Sequence, residues 1–164
     1  MTQPDPVAGR PPTLFVLAGM PGSGKSVLAA RLASEREALH LDPDAWFMAL
    51  GLDPHDGHAR EVFEGLQWQQ GLRLLELGVS VIAESAGWRE VSRERRRAAA
   101  ARLGTRTELH VLDVPLEERW RRVERRNREP GAVPLTRGQL EQAQRFWEPP
   151  GPEEQARYDA VRVW

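Results

Sequence analysis

One short segment constrains this chain more than any other feature: residues 19–26 read Gly-Met-Pro-Gly-Ser-Gly-Lys-Ser, a full match to G-x-x-x-x-G-K-[ST]. The segment follows an apolar run, Leu14–Ala18, that is typical of a buried parallel strand, and it precedes a stretch with helical spacing. Its glycines let successive main-chain N–H groups converge on an anion, and the positive end of the following helix points to the same place. The sequence therefore predicts a phosphate-binding loop rather than a glycine-rich turn without a ligand.

The chemistry of this loop predicts a bound nucleotide with its phosphates and Mg²⁺. Lys25 would neutralise charge on the β- and γ-phosphates, and the Ser26 hydroxyl would ligate Mg²⁺. Lys25 is the only lysine among the 23 basic residues of the chain, all others being arginine. The candidate nucleotide-binding residues are Gly22, Ser23, Gly24, Lys25, Ser26 and Val27.

Size and composition favour one globular domain. The chain has 164 residues, of which 40% are hydrophobic and 29% are charged. We expect a disordered proline-rich tail over residues 1–12 and a single domain over residues 13–164. The sequence has no cysteine, which excludes disulfides, cysteine-ligated metals and a thiolate nucleophile. It also has no long apolar run and no signal-peptide pattern, so we expect a soluble cytoplasmic protein without a membrane span.

Short apolar runs alternate with helical patterns along the whole chain. This alternation predicts an α/β fold of the P-loop NTPase type, in which a five-stranded parallel sheet carries helices on both faces. The predicted strands are 14–18, 39–41, 79–83, 108–113 and 158–164, and the predicted helices are 26–39, 43–50, 59–77, 90–103, 115–128 and 136–147. The apolar residues expected to face inward are Val27, Leu28, Leu32, Ala33 and Leu39 in the first helix and Val62, Phe63, Leu66, Leu74 and Leu75 in the third.

Several classes of P-loop protein do not fit this chain. It is too short for an oligomeric AAA+ motor with a helical lid domain, and it lacks the LSGGQ-like signature of transporter ATPases. The guanine-binding sequence N-K-x-D is excluded because Asn127, the only asparagine, is followed by Arg128. A small nucleotide-dependent phosphotransferase remains, which needs a base, a metal support and cations for the transferred phosphoryl group.

Three carboxylates follow predicted strands, at the sheet edge where α/β proteins bind ligands. Asp42 precedes Pro43 and suits a helix cap, so we assign the cap to Asp42 and the catalytic base to Asp44, with the reverse assignment left open. Glu84 ends the third strand and is a candidate to support Mg²⁺ or to orient the acceptor, the alternative being an ordinary strand-end acid.

Arginines crowd the segment from residue 119 to residue 128. Arg122 and Arg126 share a helix face, and with the proline-containing loop that follows they predict an Arg-rich lid over about residues 119–137. The alternative for half of these arginines is a solvated, salt-bridged helix. A second cluster, Arg93 with Arg95–Arg97, is predicted to be solvent surface, with a nucleic-acid patch as the alternative.

The chain resembles the small P-loop kinase-like "AAA domain" proteins that group with zeta toxins, chloramphenicol phosphotransferase and the kinase domain of polynucleotide kinase. The resemblance covers residues 14–159. It lies in residues 19–26, Leu41–Trp46, Leu66–Trp68, the strand ending in Glu84, Trp88 with Arg93, and Arg125–Asn127. It implies transfer of phosphate from MgATP to a hydroxyl, with Asp44 as the base and with Arg122 and Arg126 clamping the phosphates.

The resemblance implies a hydroxyl of a small molecule, a nucleotide or a nucleic-acid end as the acceptor, of which we favour the first two. Its candidate pocket residues are Trp46, Phe47, His55, Asp56, His58, Arg60, Trp88 and Arg89, while Trp68 and Trp120 are assigned to the core. Two alternatives stay open. A non-catalytic ATP-binding module is one, because related kinases continue beyond Trp164 into a loop that touches adenine. A kinase for 5′-hydroxyl ends of nucleic acid is the other, because residues 89–164 carry 17 basic and 13 acidic side chains.

Overall fold

Five strands form one parallel sheet in a computed structural model, which describes residues 11–164 except 54, 55, 85, 86 and 131. The strand order is β2-β3-β1-β4-β5, and every neighbouring pair is parallel. The strands are β1 (Thr13–Gly19), β2 (Leu39–Leu41), β3 (Val81–Ala83), β4 (Arg106–Leu112) and β5 (Ala160–Val163). The predicted parallel five-stranded sheet is confirmed, with β1 at its centre.

Seven helices are found in the described part of the chain. They are α1 (Lys25–Arg36), α2 (Pro43–Leu50), α3 (Gly57–Glu76), α4 (Glu90–Arg102), α5 (Leu116–Arg126), α6 (Arg137–Gln144) and α7 (Pro152–Gln155). The last of these was not predicted, because three prolines lie in residues 148–152. However, Pro152 stands at the first helical position, where proline is tolerated. None of the described helices combines the length and the apolarity that a membrane span requires.

Helices cover both faces of the sheet because the side chains of β1 alternate between two apolar clusters. On one face, residues 14, 16 and 18 pack with Leu75 of α3 and Ala100 of α4. On the other face, Phe15 and Leu17 pack with Leu28 and Leu32 of α1. The core is therefore built around the strand that leads into the phosphate loop, which holds the start of that loop rigidly.

Some inward assignments in the helices are wrong. Val27 is 78% exposed because α1 turns Leu28, Ala29 and Leu32 towards the sheet instead. Leu39 lies in β2, since α1 already ends at Arg36.

In α3, Val62 and Leu66 are exposed although the sequence predicts them to face inward. The first half of this helix packs on α2, where the ring of Phe63 meets the rings of Trp46 and Phe47. Only its second half contributes to the sheet core, through Gly71 and Leu75, with Trp68 packed at the edge of the cluster. The inward positions predicted for Phe63, Leu74 and Leu75 are therefore confirmed, and those predicted for Val62 and Leu66 are wrong.

The arginine cluster of α4 is not a solvent surface throughout, which corrects the sequence-based expectation. Arg93 and Arg96 are buried, and Arg93 donates two hydrogen bonds to Glu154 of α7, at 2.6 and 2.7 Å. Its third nitrogen, Nη1, donates to the carbonyl of Gly87 at 3.0 Å. This arginine lies inside the domain because a buried carboxylate and a buried carbonyl accept its hydrogen bonds.

Candidate active site

The phosphate loop connects β1 to α1 with two glycines in conformations that other residues rarely adopt. Gly22 and Gly24 have φ angles of +82° and +100°. A side chain on Gly22 would also collide with α5, since its Cβ would lie 2.9 Å from the carbonyl oxygen of Arg119. Gly24 caps α1 without a side-chain hydrogen bond, so no side chain occupies the N–H groups of the first turn. These groups are available to an anion.

The ammonium group of Lys25 lies beside this loop, where its Nζ donates to the carbonyl of Met20 at 3.2 Å. Removal from water lowers the pKa of Lys25 to about 8, although the negative charges of Glu84 and Asp44 favour the ammonium form. The lysine is therefore poorly solvated before any phosphate binds, and an anion would restore the interactions that it lacks.

Glu84 follows β3 and reaches the start of α1. Its two carboxylate oxygens accept hydrogen bonds from Ser26 Oγ at 2.6 Å and from His40 Nε2 at 2.8 Å. Burial would raise the pKa of Glu84, but the hydrogen bonds from His40 and Ser26 and the charge of Lys25 outweigh it and keep the pKa below its usual value. A hydroxyl and an ionised carboxylate in contact are hard oxygen ligands that fit Mg²⁺.

The two aspartates after β2 have different environments. Asp42 caps α2 by accepting a hydrogen bond from the N–H of Ala45 at 3.0 Å. The side chain of Asp44 is 73% exposed and accepts a hydrogen bond from Arg60 of α3, which also pairs with Glu64. The cap predicted for Asp42 is confirmed, and Asp44 is left as the aspartate whose carboxylate is not used by the backbone.

Helix α5 packs directly on the phosphate loop through two arginines. Arg119 is buried and donates to the carbonyls of Val114 and Pro21, at 3.0 and 3.4 Å, and to the side chain of Gln144. The guanidinium of Arg122 donates to the carbonyl of Ser23 at 3.1 Å.

The other residues of the predicted lid make no hydrogen bond with the phosphate loop among the described residues. Arg126 is exposed and makes no ion pair or side-chain hydrogen bond with the described residues. Asn127 joins the two ends of the loop after α5. Its side-chain Nδ2 donates to the carbonyl of Leu135 at 2.7 Å, and its Oδ1 accepts from the N–H of Leu135 at 3.1 Å. The structure therefore places Arg122 at the phosphate loop and leaves Arg126 in solvent.

The predicted acceptor residues do not form one group. Phe47 is fully buried against Phe63 and packs α2 on α3, so it does not line a pocket. Asp56 caps α3, while Trp46 and His58 are exposed and His55 lies outside the described residues. Trp88 and Arg89 line a separate cavity with Phe146.

Sequence reasoning missed one side chain that this site uses, His40, which supports Glu84. It named Arg60 as a pocket residue and Arg119 as part of the arginine-rich segment, but it did not predict that Arg60 binds Asp44 or that Arg119 joins α5 to the phosphate loop. A sequence signal could have found His40. It stands two residues before Asp42 on a strand that leads to the ligand-binding edge.

The sheet order, with a phosphate loop after the central strand, defines a P-loop protein of the kinase-like class. Within this class, the chain belongs to the family described as AAA domain, whose model matches residues 14–150. This confirms the resemblance inferred from the motifs. No curated protein matches the sequence.

Solved structures with this fold include several proteins of 18–20% identity, a level at which the likeness shows the fold alone. A chain of the Pnkp1/Rnl/Hen1 RNA repair complex matches with a TM-score of 0.72 and 18% identity, over 93% of this chain and 48% of that one. The present chain thus spans about half of that protein's length. Kti12 from Chaetomium thermophilum, in complex with ADP-AlF3, matches with a TM-score of 0.71 and 20% identity, over 92% and 88%. A gluconokinase from Sinorhizobium meliloti 1021 matches with a TM-score of 0.61 and 18% identity, over 94% and 83%.

Proposed function

We propose that this chain is a magnesium-dependent phosphotransferase that moves the γ-phosphate of ATP to a hydroxyl group of a small molecule or nucleotide. The observation that carries the proposal is the set of groups at the first turn of α1. There Ser26 is hydrogen-bonded to Glu84, Lys25 is poorly solvated, and Arg122 lies against the loop. The complex of Kti12 with ADP-AlF3 supports the nucleotide, and the gluconokinase supports transfer to a small hydroxyl compound.

The nucleotide and metal have residues that suit them. The main-chain N–H groups of residues 22–27 bind the phosphates, and Lys25 and Arg122 offset their charge. Ser26 and Glu84 hold Mg²⁺, directly or through its water. When bound, the metal supplies neutralisation of the charge that develops on the phosphate oxygens.

In the transfer step, the acceptor oxygen attacks the γ-phosphorus, forming the new O–P bond while the bond to the β,γ-bridging oxygen breaks and ADP leaves. The hydroxyl proton passes to the carboxylate of Asp44, which Arg60 keeps oriented. The charge of Asp44 acts on the pKa of Lys25, which supports a position of Asp44 near the phosphate loop. Arg126 adds its charge only if the end of α5 moves towards the phosphates.

The first experiment separates nucleotide binding from transfer. Isothermal titration calorimetry of Lys25→Ala with MgATP is expected to show no binding. Asp44→Asn should keep wild-type affinity for MgATP and lose turnover by about 10²–10⁴-fold, because the general base is removed. Turnover is measured as ADP release across a panel of hydroxyl metabolites.

Asp42→Asn is the matched control for Asp44→Asn, since asparagine caps a helix as well as aspartate does. It removes the same charge two residues away and should leave turnover within about threefold of wild type. Equal loss in both variants, or unchanged turnover in Asp44→Asn, would remove Asp44 as the base.

Two alternatives are tested by the same assays. The likeness to a chain of an RNA repair complex supports a nucleic-acid acceptor, but the burial of Arg93 and Arg96 removes two of the four arginines of the candidate nucleic-acid patch on α4. Transfer of labelled phosphate to 5′-hydroxyl oligonucleotides would favour this alternative. Tight MgATP binding with no ADP release on any acceptor would favour a non-catalytic binding module.

A further inference from the structure

A cavity of about 300 Å³ lies between the start of α4 and the segment that follows α6. It is lined by Trp88, Arg89, Ser92 and Phe146. The guanidinium of Arg89 lies 5.0 Å from the centre of the Phe146 ring. Arg89 is exposed and forms no ion pair or side-chain hydrogen bond with any described residue, so its five N–H donors are free for a ligand.

Both walls of this cavity are attached to the phosphate-loop region. The first wall begins at Gly87, which touches the end of β1: a Cβ there would lie 2.0 Å from the carbonyl oxygen of Leu17. The second wall follows Gln144, whose side chain is bound by Arg119, and Arg119 also donates to Pro21 of the phosphate loop. Both walls of the cavity are therefore tied to β1 or to the phosphate loop, the elements that carry the proposed site of phosphate transfer.

The two walls are also fixed to each other. The N–H of Glu148 donates to the carbonyl of Trp88 at 2.9 Å, and the carboxylate of Glu148 accepts from the N–H of Glu90 at 2.8 Å. Arg93, which is buried and paired with Glu154, donates a hydrogen bond to the carbonyl of Gly87 at 3.0 Å. The cavity is thus largely pre-formed, as small-molecule sites usually are.

The lining defines the ligand chemistry. Trp88 and Phe146 offer aromatic surface on which a planar ring can stack. Arg89, which has no ion pair among the described residues, attracts an anion and repels a cation. From these features we infer that the cavity binds the body of the phosphoryl acceptor, and that this acceptor is a hydroxyl compound with a planar ring and an anionic group. The role as acceptor site rests on the proposed function, whereas the binding of a planar anion does not.

Binding is tested by calorimetry on the full chain with the phosphate loop saturated by Mg²⁺ and the non-hydrolysable analogue AMP-PNP. Thymidine 3′-monophosphate and 4-hydroxyphenylacetate are the planar anions, carrying phosphate and carboxylate respectively. Two control compounds each lack one feature: thymidine has a planar ring but no negative charge, and gluconate has a negative charge but no planar ring. Both planar anions should bind about tenfold or more tightly than thymidine and gluconate. If one planar anion binds more tightly than the other, the difference shows whether the site prefers phosphate or carboxylate.

Variants assign the binding to the cavity. Arg89→Gln should abolish the preference for planar anions over thymidine. Phe146→Leu should lower the affinity for the planar compounds, and Phe146→Tyr should keep it at the wild-type level. Arg102→Gln, in the last turn of α4, is the matched control and should leave the binding of all four compounds unchanged. Failure of all four compounds to bind, or equal binding in wild type and Arg89→Gln, overturns the inference.

A transfer assay separates this inference from the proposed function. With an acceptor found by ADP release, Arg89→Gln should raise KM about tenfold or more and leave kcat within about threefold. Unchanged KM in that variant overturns the acceptor cavity and leaves the phosphotransferase intact. Binding of planar anions without any transfer would instead overturn the phosphotransferase and leave the cavity as a binding site.

Discussion

Helices α4 and α5 each contain five arginines and begin beside glutamates, yet their arginines contact different parts of the molecule. On α4, Arg93 uses all of its nitrogen atoms within the domain, on Glu154 and Gly87. On α5, Arg122 is 40% exposed and contacts the phosphate loop at Ser23. A charged helix pattern therefore does not tell whether an arginine stabilises the fold or binds a ligand, because the acceptors of its hydrogen bonds decide this.

The physical difference lies in the donors that remain free. The guanidinium of Arg93 is fully paired and has no access to solvent. Arg122 pairs with Glu118 on its own helix and with one loop carbonyl, so it keeps N–H donors for a phosphate. We expect changes on α4 to alter stability and changes on α5 to alter chemistry.

The largest expected effect is on stability. Arg93→Ala should lower the free energy of unfolding by about 3–5 kcal/mol, because it leaves the buried carboxylate of Glu154 without its partner. Urea denaturation measures this change. The double variant Arg93→Met with Glu154→Leu removes both charges and should recover most of the loss. A loss below about 1 kcal/mol in Arg93→Ala would show that the pair is not needed for the fold.

The next effect is on turnover. Arg122→Gln should slow phosphate transfer by about 10²–10³-fold, because it removes a cation that stabilises the transferring group. Its unfolding free energy should change by less than about 1 kcal/mol, since the side chain is partly exposed. Arg121→Gln is the matched control, since Arg121 is a neighbour whose side chain is 76% exposed. This variant should change neither turnover nor the free energy of unfolding. Equal turnover in the two variants would break the contrast between the helices.

The smallest effect is a pH dependence confined to the phosphate side. Lys25 has a pKa of about 8 in the free protein, and a bound triphosphate would raise it, so binding takes up a proton above pH 8. Affinity for MgATP should therefore fall as pH rises, about tenfold between pH 7 and pH 9. Calorimetry in buffers of different ionisation enthalpy measures both the affinity and the proton uptake.

The double variant at Arg93 and Glu154 should show the same pH profile as wild type, because these residues stabilise the fold and do not contact the loop. A flat profile in the wild-type protein would mean that Lys25 does not meet the phosphates.

Much of the fold follows from local sequence signals. The bounds of α2, the cap at Asp42 and the positive φ of Gly78 after α3 come from residues adjacent to the feature they specify. The phosphate loop is the clearest case, because its glycines and Lys25 lie within seven consecutive residues and need no distant partner to form the loop.

The remaining features depend on partners far away in the sequence. Arg93 is buried because Glu154 lies 61 residues farther on, and Asp44 meets Arg60 across 16 residues and two helices. No local pattern marks these pairs. For the same reason the exposure of Val27 was not predicted, since which apolar residues of a helix face the sheet depends on how it docks.

A crystal structure with Mg²⁺ and AMP-PNP would show where the phosphates bind. We expect phosphate oxygens within hydrogen-bond distance of the N–H groups of residues 22–27, the ammonium of Lys25 against the γ-phosphate, and the metal beside Ser26 and Glu84. A nucleotide bound elsewhere, with its phosphates away from Lys25, would contradict this expectation.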